Sequence, residues 1–139
     1  MHGGVLVPIL RYREFNLGFL GSGSTTEIVL EKAIPISPFT VIGLSLRVHA
    51  ADIGASPGQF EIILRAVNPS PADGQDFEGS DLGSSDAVTA NTTPPALLDL
   101  QTIITNPQAP FLRPVLKATG PNSGNLYAVL SADLVMKTG

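Results

Sequence analysis

Residues 42–50 alternate strictly: Ile42, Leu44, Leu46, Val48 and Ala50 are apolar, while Gly43, Ser45, Arg47 and His49 stand between them. A period of two places one row of side chains on a buried face and the other in water, which predicts a strand. Residues 60–67 repeat the pattern, with Phe60, Ile62, Leu64 and Ala66 on one face and Glu61 and Arg65 on the other. The link Gly54-Ala55-Ser56-Pro57-Gly58 between them suits a hairpin. Residues 111–119 read as a further strand, in which Pro114 argues for an edge position or a bulge. The turn cluster at 120–125 then leads into the longest row: Leu126, Ala128, Leu130, Ala132, Leu134 and Met136.

Weaker strand signals lie at 6–16, 26–34, 87–90 and 97–105. Pro94-Pro95 before Ala96-Leu97-Leu98 could open a short helical turn, but the β-branched string Thr102-Ile103-Ile104-Thr105 favours strand. The count of about seven to eight strands predicts an all-β fold, an antiparallel β-sandwich of the jelly-roll or Greek-key kind, with a long insertion at 68–95. The domain organisation expected is an N-terminal arm at 1–10 followed by one sandwich domain at 11–139.

Two stretches bear on assembly. Residues 1–10 carry Val5, Leu6, Val7, Ile9 and Leu10 with no charged residue before Arg11, broken only by Pro8. Such a segment is either an ordinary core strand or an arm that needs a neighbour. The last row is apolar on its second face too, through Tyr127, Val129 and Val135, so that strand is either central in a sheet or covered by something else. Val5, Leu6, Val7, Ile9, Leu10, Tyr127 and Val129 are therefore the candidate interface residues.

Composition narrows the chemistry. The 139 residues include 14 Gly and 12 Pro, which disfavours long helices, and no Cys or Trp. Disulfides, thiolate metal sites and cysteine nucleophiles are thereby excluded. Charged residues are only 14% of the chain, fewer than a monomer's surface normally carries. The net charge is −4, with Asp73, Asp76, Glu78, Asp81 and Asp86 falling in one base-free stretch. No basic stripe exists to track a phosphate backbone, so nucleic acid is not an expected partner. No apolar run approaches a membrane span, and the start of the chain has no basic segment of the kind that opens an export signal.

Candidate catalytic groups are few. A Ser-His-Asp arrangement would have to use His49, one of eleven serines and perhaps Asp52, and Gly21-Ser22-Gly23-Ser24 has the wrong register for a nucleophile elbow. A wet-face strand histidine is the simpler reading, and no enzyme activity, catalytic residue or cofactor is expected. The acidic stretch could bring Asp76, Glu78 and Asp81 to one calcium ion, but the spacing departs from an EF-hand, so a solvated loop is expected and no metal residue is assigned. Asn91-Thr92-Thr93 matches the glycosylation acceptor pattern, a match of the length that arises by chance.

The apolar segment 1–10, the 68–95 insertion, the closing strand 125–137 and the charge-poor, Cys-free, Gly/Pro/Ser/Thr-rich composition together resemble small β-rich virion proteins of tailed phages, in particular capsid decoration (cement) proteins. The resemblance is one of manner and transfers no functional residue. It implies a non-enzymatic structural protein of a virion, assembled in the host cytoplasm, with other protein subunits (itself or a shell protein) as partners and a homo-oligomeric state. The alternative is a binding module for a carbohydrate or surface polymer, possibly calcium-dependent.

Overall fold

The alternating rows become strands, and the computed structural model describes residues 4–18, 20–70 and 75–138. The strands are β1 (Val5–Asn16), β2 (Thr25–Val29), β3 (Ile34–Pro35), β4 (Val41–Ile53), β5 (Gln59–Ser70), β6 (Gln75–Ser84), β7 (Ala96–Asp99), β8 (Ile104–Thr105), β9 (Phe111–Thr119) and β10 (Leu126–Lys137). Among the described residues there is no helix, so the turn considered near residue 95 is strand. Every pairing is antiparallel. One sheet runs β1-β10-β4-β7, with β8 also on β4, and the other runs β2-β9-β5-β6, with β3 also on β9.

Two of the expected strands are split, β6 is an additional strand, and the strand expected at 87–90 is only a bridge from Val88 to Phe60, which makes the count ten. β2 and β3 pair with successive parts of β9, and the gap between them falls opposite Pro114. The Pro114 carbonyl accepts from Leu30 N at 2.9 Å. A strand residue's N–H and C=O point the same way, so the donor that proline lacks would have faced this gap. Pro114 thus sits in a central strand, not at the expected edge, and its partner breaks instead. Between β7 and β8 the chain leaves the ladder: Leu100 bridges to Ser85, and Gln101 N donates to the Ser84 carbonyl.

With each split strand counted once, eight strands cross back and forth between the two sheets in jelly-roll order. The inner faces bury Ile42, Leu44, Leu46 and Val48 of β4, Phe60, Ile62 and Leu64 of β5, and the even-numbered row of β10. Phe15 of β1 reaches Phe60 of β5 with ring centroids 6.2 Å apart, which joins the sheets through an aromatic contact. Ala50 leaves the expected row. A register shift on β4 between the partners of Val129 and Leu130 inserts one residue, so Ala51 and Ile53 take the inward positions after Val48.

The 68–95 insertion is partly sheet. β5 continues to Ser70, and β6 returns along it with two register shifts. The polar run of β6 gave no alternation because an edge strand need not bury a face. Arg65 organises the outer side of this sheet. Its Nε donates to Asp81 on β6 at 3.0 Å, and both Nη atoms donate to the Glu27 carboxylate on β2, each at 3.0 Å. Glu27 lies two strands away from β5, so the arginine runs diagonally across β9 on the outer face, where Val115, Ile63 and Val67 are buried as well.

The Arg65 guanidinium, by hydrogen bond and then by charge, holds the Glu27 carboxyl below its ordinary 4.5. A depressed folded value contributes stability above the ordinary value and loses it as pH falls through the folded one. Acidification below about pH 4.5 is expected to weaken the fold by this route, modestly, because Glu27 is half in solvent. Glu27→Gln should flatten that part of the profile when urea midpoints are measured against pH; an unchanged acid limb would assign it to other carboxylates.

Candidate functional site

β1 is an edge strand of its own chain's sheet, and the boundary expected at residue 10 falls inside it. Val5 pairs with Met136, Val7 with Leu134 and Leu10 with Ala132. Ile9 and Leu10 are 3% and 6% exposed and belong to the core, and Val7 packs against it. These three are inward positions of an intrinsic strand, which corrects the picture of a free arm over 5–10; residues 1–3 lie outside the described residues. Val5 and Leu6 differ, at 45% and 66% exposed.

Leu6 faces outward beside Val135 of β10, which pairs in turn with Gly43 of β4. Gly43 offers no side chain, so the sheet surface sinks there into a depression of about 410 Å³ edged by Val135 and Ile103. Ile103 is 59% exposed. Leu6, Val135 and Ile103 therefore form an apolar row across one end of the outer face.

Tyr127 and Val129 lie on the same outer face, on a strand that is central, between β1 and β4. Val129 is buried there. The Tyr127 hydroxyl donates to the Glu14 carboxylate at 3.1 Å, and that bond pushes the phenol's pKa upward. β10 is thus central in its sheet, one of the two arrangements its second apolar face allowed.

A polar cluster occupies the middle of this face. Ser131 Oγ accepts from Arg47 Nε at 3.1 Å and lies 2.8 Å from His49 Nε2. Arg47 Nη2 donates to Asp133 at 2.7 Å. The Tyr12 ring meets His49 at 4.7 Å between centroids, from the other side of β10. Arg47 and His49 were legible as wet-face neighbours; Tyr12, Ser131 and Asp133 join them only through a strand order that local pattern does not encode.

The Ser131–His49 contact has the spacing of a nucleophile and its base, yet Asp52 does not complete it. Asp52 accepts from Asn125 Nδ2 at 2.7 Å, and His49 Nδ1 has no partner among the described residues. Among the described residues no carboxylate fixes the imidazole tautomer, and Ser131 Oγ is shared with Arg47 Nε. The arrangement suits hydrogen bonding to a bound group.

Of the acidic stretch, Asp81 is bound to Arg65, while Asp73 and the side chains of Asp76 and Glu78 lie outside the described residues. Among the described residues no group of His, Asp and Glu could hold a metal ion. Compared with known proteins, the chain matches no family model and no curated protein.

Proposed function

We propose that this chain is a non-enzymatic structural subunit that decorates or stabilises a larger protein shell, a virion capsid being the shell that its resemblance suggests. The observation that supports this reading is the apolar start of β1. Val5 and Leu6 are exposed on an unpaired sheet edge, next to the row that continues through Val135 to Ile103. An uncharged apolar edge is a template for a neighbouring strand, and the features that blunt the β1 edge, Pro8, two register shifts and Arg11, come only after Val5–Val7. The jelly roll adds support by analogy alone, since it serves capsid and lectin domains alike.

In this reading β1 pairs with another subunit, a second copy or a shell protein, and no nucleic acid, membrane or cofactor takes part. Light scattering on the full chain tests the self-association. The unaltered protein should have an oligomer's mass, and Leu6→Lys should weaken association about tenfold or more without lowering the melting temperature, because Leu6 lies outside the core. A monomer at every concentration, or an oligomer indifferent to Leu6→Lys, would remove this route of assembly.

A further inference from the structure

The middle of the outer face of the first sheet carries a second feature, independent of the β1 edge. Ser131 of β10 faces a register irregularity on β1, and a second one, on β4, falls close by at the Val129–Leu130 step. On β1, two residues (Arg11 and Tyr12) fill the space opposite this one residue, because Leu10 pairs with Ala132 and Arg13 with Leu130. On β4 the extra residue is His49, because Val48 pairs with Leu130 and Ala50 with Val129. Bulges re-aim side chains, and here both turn theirs over the same stretch of β10. The result is a cleft of about 430 Å³ with Ser131 in its floor and Arg11, Tyr12, Arg47, His49 and Asp133 around it.

The charge of this cleft runs against that of the chain. The protein carries −4 overall, while the cleft presents two guanidinium groups and one carboxylate. That carboxylate, Asp133, is already held by Arg47. Arg11 makes no hydrogen bond or ion pair among the described residues. A site with a surplus cation favours an anion, and a guanidinium fork fits a carboxylate through two parallel bonds. Tyr12, 71% exposed, packs one side of its ring against His49 and leaves the rest of the ring and its hydroxyl open, and His49 Nδ1 offers a further polar atom without a partner among the described residues.

We propose that this cleft binds a sugar unit bearing a carboxylate, a uronate of an acidic polysaccharide. Arg11 takes the carboxylate, the Tyr12 ring lies against the apolar face of the pyranose, and His49 and the outer edge of Arg47 meet ring hydroxyls. A bare inorganic anion would use the arginines and leave the aromatic face idle, and a neutral sugar would leave Arg11 without a counter-charge. The volume suits one or two sugar rings.

The test is a titration of the full chain, followed by calorimetry and by amide NMR shifts, with trigalacturonate as the probe and galactotriose and inorganic phosphate as comparisons. Trigalacturonate should bind saturably, shift the amides around Tyr12, His49 and Ser131, and bind more weakly as salt is added. Arg11→Gln and Tyr12→Ala should each weaken it about tenfold or more at unchanged melting temperature, because both side chains are exposed. No saturable binding at millimolar trigalacturonate would overturn the proposal. So would equal binding of galactotriose, phosphate binding as tight as the uronate's, or full affinity in both variants. Leu6→Lys leaves this cleft intact and Arg11→Gln leaves the apolar start of β1 intact, so failure here and failure of the assembly reading are separable.

Discussion

Leu46→Ala is expected to lower the free energy of unfolding by about 2–5 kcal/mol. Leu46 is fully buried on β4, between Ala132 of β10 and Leu98 of β7 in the same sheet. The opposing sheet brings Phe60, Ile62 and Leu64 to the same core. Removing the branched end of the side chain loses its transfer free energy and leaves a space that strands hydrogen-bonded on both sides cannot close. The neighbour across β10 is already alanine and cannot reach into the space. Urea unfolding should show a lower midpoint with an unchanged slope. A loss near zero would place Leu46 on the wrong face of β4.

Gly54→Ala is expected to cost about 3 kcal/mol, a large effect for one methyl group at a loop. Gly54 opens the β4–β5 connection, which lies directly against the β9–β10 turn. Gly54 N donates to the Asn125 carbonyl at 2.7 Å, Ala55 N to Ser123 at 3.0 Å, and Asn122 N returns a bond to Ala55 at 3.1 Å. A Cβ on Gly54 would overlap the Ser123 carbonyl oxygen and approach Gly124 Cα to 3.0 Å. Both are backbone atoms, so no side chain can swing aside, and Gly124 is itself fixed at a φ of +94°. The two loops must separate or break their shared hydrogen bonds. Gly43→Ala is the control, because its Cβ would meet nothing closer than the Val135 carbonyl at 4.0 Å. It should be neutral or slightly stabilising, through a less flexible unfolded chain. Equal losses in the two variants would show that the crowding at Gly54 is relieved cheaply.

The parts of the fold legible in the sequence are those where a strand buries one face. The rows Ile42 to Val48, Phe60 to Leu64 and Leu126 to Met136 were fixed in register by period alone, and all are core. The pattern failed where pairing departs from one residue against one. Ala50 shifts face because His49 is an inserted residue, and insertion leaves no trace in a binary pattern. β6 has the composition of a loop because Asp76, Glu78, Gly79 and Asp81 are poor strand formers, and β5 supplies the ladder that overrides them. The Val5–Leu10 stretch showed its apolarity but not which side chains point inward, since alternation is invisible where both faces are apolar. The polar cleft was legible only in half, as Arg47 and His49, because β1 and β4 meet across β10.

The pairing of β1 with β10 also orders events in time. Val5 cannot meet Met136, nor Asn16 meet Tyr127, until the 130 and 110 residues between them are available. During synthesis, therefore, β1 and β4 lack the strand that lies between them in the finished sheet until β10 has left the ribosome. Closing so long a loop before any of its contacts form is slow, and sheets built from distant partners fold in milliseconds to seconds, not microseconds. For that interval Ile9, Leu10 and Phe15 have no completed core to enter, which makes the nascent chain the stage most exposed to misassembly.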